Sequence, residues 1–329
     1  MVDAGVFGLK PYVHSDCGGD YRGFAGDLLR WTAHCAFGTI FRYHGADHRP
    51  WTYDDHTLQV IKKYLQVRYR LMPSLIAAGH EAAATGFPLV ARCDLFWPEH
   101  TEARSNDQYI HLKDTLVAPI FSSAQNVTSR NVWVPPGAWQ DAWSGSVVTG
   151  PITLTTSQPY ERQPMWHRRG GLVVMVDDGG VRVDSQDWSK LTLQVFPDFT
   201  VASAVSRSVY SQSQVASVSS TALHTGLLLT TTPSTGTSGT LSLDVTASND
   251  GVRRAWVLRL HLLPGQQVST ATVDGVAVKV SNVAAMDSSN AMTPPAFGAS
   301  GSAPAVGVVA EVQVPSSVNA RQIIVTVSN

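Results

Sequence analysis

Tyr12-Val13-His14-Ser15-Asp16-Cys17-Gly18-Gly19-Asp20-Tyr21-Arg22-Gly23, followed by Phe41-Arg42-Tyr43-His44-Gly45, decides the architecture, because each piece closes a short apolar run with polar groups. Between them, Phe24 to Gly38 places Phe24, Leu28, Trp31 and Cys35 at helical spacing and ends on a glycine suited to a helix terminus. The order strand, helix, strand predicts a right-handed unit with parallel strands whose carboxyl ends emerge on one face of a sheet. Asp16 and His44 are therefore expected as neighbours there. Barrel enzymes put binding and catalytic groups on that face, and glycines after Asp16 let backbone approach a ligand closely.

At these residues the chain resembles glycoside hydrolase family 31, whose members are mostly retaining α-glucosidases and α-xylosidases. Asp16-Cys17-Gly18-Gly19 is similar to the family's loop after the seventh barrel strand, and Arg30-Trp31 to the start of its next helical core. Phe41-Arg42-Tyr43-His44 resembles the segment after the eighth strand, where an arginine and a histidine approach the innermost sugar. Leu65 to Pro73 is similar to the final barrel helix, and Asp107-Gln108 with Leu116-Val117-Ala118-Pro119 to the entry into a following sandwich. Val132 to Gly145 looks like that sandwich's proline, glycine and tryptophan hairpin.

The resemblance implies an α/β plus all-β chain: the C-terminal end of a (β/α)8 TIM barrel over 1–86, then two β-sandwich domains over 87–188 and 189–329. It implies a neutral carbohydrate partner of α-glucoside or α-xyloside type, no cofactor, and Asp16, Arg42 and His44 as sugar contacts. It also implies an absence. The family's nucleophilic aspartate follows the fourth strand, and its acid/base aspartate lies shortly before the loop that here begins at Asp16. Fifteen residues precede Asp16, and Val2 to Leu9 reads as a helix tail. No catalytic residue is therefore assigned, and the missing N-terminal half of the enzyme is the expected partner. Glycoside hydrolysis normally needs two carboxyl groups, about 5 to 5.5 Å apart when configuration is retained.

Each residue has a plainer reading. An ionised Asp16 offers only acceptors and suits a vicinal diol, but Asp before Gly-Gly also commonly shapes a tight turn. His44 fits a barrel mouth or a core histidine satisfied by a carbonyl. Arg42 fits a sugar contact or an ion-pair partner of a barrel aspartate. His44-Gly45-Ala46-Asp47-His48 carries possible metal ligands, yet Gly45 and Arg49-Pro50 predict a loop rather than the helix that would align both rings, so no metal is assigned. Asp20 stands where the family usually has an aromatic residue, with Tyr21 as a substitute ring.

Composition fits an ordinary globular protein: 43% of residues are hydrophobic, and 15% are charged against about a quarter typically. A formal net charge of -1 without a basic run argues against nucleic acid. No stretch is long and apolar enough to span a bilayer. Cys17, Cys35 and Cys93 are too few for a disulfide framework and read as small core or loop residues. Asn126-Val127-Thr128 is a glycosylation sequon, which with the low charge leans toward a secretory setting.

A long helix is expected from about Thr57 to Ala84, capped by Asp54 or Asp55 and Gly86, kinked at Pro73 and buried along Leu58, Ile61, Leu65, Tyr69, Met72 and Ile76. Strands are expected at Asp114–Phe121, Asn131–Pro135, Ile152–Thr156 and Gly171–Val176, then at Leu191–Phe196, Trp256–Leu262, Val273–Val280 and Ile323–Val327. Thr230–Thr240 and Ala285–Ser302, poor in large apolar groups, read as mobile loops. Trp133, Trp139, Trp143 and Trp166 suit a sandwich core better than a sugar-stacking platform. A non-catalytic carbohydrate-binding or scaffold module, or an inactive remnant, is the alternative to an enzyme part.

Overall fold

The computed structural model describes residues 3, 10–18, 23–45, 49–121, 127–212, 223–283 and 309–329. Among the described residues from Gly23 on, the α-helices are α1 (Ala25–Ala36), α2 (Asp55–Arg70) and α3 (Met72–Thr85). Among the described residues seventeen strands follow, β1 (Val90–Ala91) to β17 (Arg321–Ser328). Apart from Asp3, which is helical, the expected helix tail at Val2–Leu9 lies outside the described residues, as do Asp20, Tyr21, Asp47, His48, Asn126 and the Ala285–Ser302 loop.

The single kinked helix expected from Thr57 to Ala84 is two helices meeting at Leu71. Pro73 has no N–H and its ring collides with the preceding turn, so the ladder is interrupted there. Asp54 caps the start by accepting from the Thr57 N–H at 2.8 Å, and Gly86 closes the end in the left-handed region at φ 78°. The buried face runs through Val60, Ile61, Tyr64, Val67, Leu71 and Leu75, one step round from the expected stripe. Leu65, Met72 and Ile76 are only partly buried, Met72 and Ile76 against the core of the last two sheets.

The described residues flanking α1 are extended, with an isolated bridge at His44 but no strand ladder, short of the expected strand, helix, strand unit. They still run side by side in one direction: the Val13 N–H donates to Thr39 Oγ1 at 2.8 Å, the Cys17 N–H to the Arg42 carbonyl at 3.0 Å, and the His44 N–H to the Gly18 carbonyl at 3.4 Å. Buried Arg68 on α2 fixes the turn after α1 by donating to the carbonyls of Ala36, Gly38 and Thr39, the last at 2.6 Å.

One sheet has the order β1-β2-β3-β6-β4-β5, with β2 (Tyr109–His111), β3 (Thr115–Val117), β4 (Ser129–Asp141), β5 (Val147–Ser157) and β6 (Met165–Arg168). Its β4–β5 register shifts between Val134 and Gly137, where Pro135 and Pro136 cannot donate to a ladder. Trp133, Trp139 and Trp166 are buried in one core, Trp139 fully, with its indole N–H on the Pro135 carbonyl at 2.9 Å. These three rings are core, as expected, and of the four tryptophans weighed as a stacking platform only the partly buried Trp143 lies outside that core.

Next in the chain are β7 (Gly171–Val176), β8 (Lys190–Phe196), β9 (Ser203–Tyr210), β10 (His224–Pro233), β11 (Gly239–Val245) and β12 (Arg254–His261). With β13 (Gln267–Val273), β14 (Val276–Ala277), β15 (Val280–Val283) and β16 (Val309–Ser317), the other sheets have the orders β14-β13-β17-β11-β10-β9 and β15-β16-β12-β8-β7, and share a core that includes Leu193, Leu229, Leu243, Leu258 and Ile323. Strand β7 pairs with β8, so a ladder crosses residue 188. Two expectations fail here. Thr230–Pro233 and Gly239–Thr240 are paired strand, leaving 234–238 as connection, because Leu227, Leu229, Leu241 and Leu243 carry the adjoining strands into the core. Val273–Val280 is no single strand, since Asp274 and Gly275, at φ 50° and 80°, turn the chain between β13 (Gln267–Val273) and β14 (Val276–Ala277).

Candidate functional site

Asp16 sits at the end of the first extended segment with φ 50°, a conformation uncommon outside glycine but tolerated by Asp. Its carboxylate Oδ1 lies 2.9 Å from His14 Nδ1 and 3.3 Å from Arg42 Nε. The Asp16 N–H also approaches His14 Nδ1, at 3.1 Å. One ring nitrogen serves only one of these contacts. The backbone N–H is a fixed donor, so Nδ1 accepts from it and holds the Asp16 loop, and the 2.9 Å approach to Oδ1 becomes an ion pair only in the protonated ring. About half of each of the Asp16 and Arg42 side chains, 48% and 53%, faces solvent. The site thus has an anchored carboxylate with free acceptor capacity beside a guanidinium with free donors.

The platform beneath is buried and covalently tied. Cys17 and Cys35 form a disulfide with Cα atoms 6.2 Å apart, which corrects the reading of both as lone residues; Cys93 remains free and buried. Trp31 on α1 donates to Ser15 Oγ at 3.0 Å, so Ser15 and Cys17 are both fastened to one helix face. Gly18 has φ 86°, and a Cβ there would stand 2.6 Å from Leu28 Cδ1, which leaves glycine alone able to pass between α1 and Tyr43. The Tyr43 hydroxyl shares a 2.6 Å hydrogen bond with Thr32 Oγ1, and burial raises its pKa well above the ordinary phenol value.

Of the three expected site residues, Asp16 and Arg42 are brought into contact. His44 joins them only through the backbone bond to Gly18; its exposed side chain makes no hydrogen bond to Asp16 among the described residues. Sequence reasoning missed His14. The signal was available, because residues two apart in an extended segment project to the same side. It also missed the disulfide, since one bridge between neighbouring segments leaves no spacing pattern.

The sequence matches a family described as "Glycosyl hydrolases family 31 TIM-barrel domain" over residues 1–78, and one described as "Glycosyl hydrolase family 31 C-terminal domain" over 86–174. Over 171 residues it is 31% identical to Alpha-glucosidase 2 of Bacillus thermoamyloliquefaciens, a match covering 49% of this chain and 22% of that enzyme. Over 199 residues it is 23% identical to an Alpha-xylosidase of Saccharolobus solfataricus, covering 57% of this chain and 26% of that one. The chain thus spans about a quarter or less of these relatives' length. Among solved structures, a family 31 dextranase of Flavobacterium johnsoniae in complex with isomaltotriose superposes with a TM-score of 0.75 at 21% identity, covering 99% of this chain and 40% of that one. The barrel helices, the loop carrying Asp16 and the β units behind them have the arrangement these matches describe, and the chain belongs to glycoside hydrolase family 31, as a carboxyl-terminal part of it.

Proposed function

We propose that this chain supplies part of the innermost sugar subsite of an α-glucosidase-like hydrolase of O-glycosyl bonds. The observation that carries the reading is the Asp16 carboxylate, held beside His14 and Arg42 yet half open to solvent. Its free lone pairs accept from two vicinal hydroxyls of a neutral sugar, while Arg42 and His44 donate to neighbouring oxygens. The bond-breaking carboxylate pair belongs, in this reading, to other segments of the enzyme, and the proposed β-sandwich supports over 87–188 and 189–329 are joined through the β7–β8 ladder. Sugar-bound relatives support it, such as the dextranase complexed with isomaltotriose.

The test is calorimetric titration of the chain with glucose, maltose, isomaltose and xylose, paired with an assay on a chromogenic α-glucoside. Weak sugar binding that drops at least tenfold in Asp16→Asn is expected, the loss of one charge-assisted hydrogen bond or more. No turnover is expected from the chain alone, and turnover is expected on mixing with a matching barrel half. Measurable hydrolysis by the pure chain, or binding unaffected by Asp16→Asn and Arg42→Ala, would sink the reading.

A further inference from the structure

A cavity lies away from Asp16, Arg42 and His44, where α3 meets β7 and β9. Its volume is about 320 Å³, near the lower end for small-molecule sites, and its lining includes Glu81, Phe87, Lys113, Ser206, Arg207 and Tyr210. Both cations in the wall are matched by carboxylates. Lys113 Nζ is bonded to Glu81 Oε1, and Arg207 Nη2 to Asp114 Oδ2. With no excess charge to draw an ion, these side chains instead present oriented donors and acceptors. The Lys113 ammonium also stands 5.4 Å from the centre of the Phe87 ring, and the Tyr210 ring is stacked on His80 at 3.8 Å.

The turn that delivers Lys113 is an independent pointer. Leu112 and Lys113 occupy the left-handed region in succession, at φ 50° and 71°. Each costs on the order of 1 kcal/mol there, and turns of this kind favour Asn, Asp or Gly. The same chain uses Asp274-Gly275 for such a turn. Retaining leucine and lysine therefore points to what their side chains do: Leu112 is buried, and Lys113 reaches into the cavity wall.

We propose that this cavity is a second carbohydrate site that takes one neutral pyranose unit, its apolar ring face on Phe87 and its hydroxyls bridging Glu81 and Lys113, with Ser206 and Arg207 at the far rim. An uncharged polyol with an apolar face matches a wall that combines an aromatic ring with self-neutralised charges.

The test is saturation-transfer NMR and calorimetry on the full chain carrying Asp16→Asn, with glucose, isomaltotriose and sorbitol as probes. Glucose is expected to bind still, and Phe87→Ala or Lys113→Met added to that background to weaken it about tenfold, with the thermal midpoint checking the fold. If Phe87→Ala unfolds the chain, Lys113→Met decides. Glucose saturating more tightly than isomaltotriose would make the ligand a free sugar, the reverse a glucan end; either supports the site. Loss of all binding in Asp16→Asn, equal binding by sorbitol, or indifference to both cavity variants overturns it. Loss in the cavity variants alone, with Asp16→Asn silent, would instead remove the Asp16 subsite and leave this one.

Discussion

Asp16 combines an uncommon backbone angle with two side-chain partners, and both are held by neighbours rather than by Asp16 itself. The histidine two residues earlier accepts from its backbone N–H and holds the loop, so His14→Ala is expected to weaken sugar binding roughly three- to tenfold without moving the thermal midpoint, on the scale of one hydrogen bond. An unchanged affinity would show that Arg42 suffices. The Cys17–Cys35 bond spans 18 residues of sequence, and a loop of that size contributes on the order of 3 kcal/mol by restricting the unfolded chain. Cys17→Ser with Cys35→Ser should lower the urea midpoint accordingly. Thiol titration of the unfolded, unreduced chain should find one group, Cys93, and three after reduction. At this scale the sequence was legible where a type is chemically restricted, as with Asp16 before two glycines. It was mute where meaning arises from a contact, as with Cys35, an unremarkable helix residue until it meets Cys17.

Among elements, helix ends are set by single residues whose roles can be read in advance. Gly86 ends α3 at φ 78° with nothing within 4 Å of where a Cβ would lie, so its role is conformational rather than steric. Gly86→Ala is expected to cost about 1 kcal/mol in urea unfolding, and Gly86→Asn less. Equal stability of all three would mean the helix end frays instead. Capping by Asp54 and the interruption at Pro73 were legible for the same local reason. The buried face was not, because α2 packs against α1 and the first sheet while α3, next in the chain, turns Met72 and Ile76 to the core of the last two. A stripe chosen by apolar count alone misplaces its centre. Strand positions followed the alternation, but Asp274-Gly275 was read through as strand, the turn signal losing to the valines around it.

For the whole molecule, buried histidines set the response to acid. Burial lowers His111, His167 and His261 to about 3 and His34 to about 4. His167 and His261 both stack on the Phe196 ring, at 4.4 and 4.3 Å. In the folded chain these rings stay neutral, whereas unfolded imidazoles protonate near pH 6.5. The unfolded state therefore binds the extra protons, and the stability these groups provide is complete above about pH 6.5 and declines as pH falls toward 4 and then 3. Each contributes up to about 1.4 kcal/mol per pH unit. The urea midpoint should fall by several kcal/mol equivalents between pH 7 and 5. His111→Leu should flatten that fall, since neither His111 nitrogen has a hydrogen-bond partner among the described residues. A pH-independent midpoint would contradict the assignment.

Tyr64 on α2 shows what this implies for dividing the protein. Its hydroxyl donates to the Glu161 carbonyl at 2.8 Å and accepts from the Gln163 N–H at 3.1 Å, while its ring joins a core that also contains Met165, Val173 and Phe196. The seam between the two family-matched regions is thus interior, not a hinge. A nick at Gly86 would leave the halves associated, and anyone grafting this barrel segment onto another scaffold would have to carry residues through Phe196 along with it.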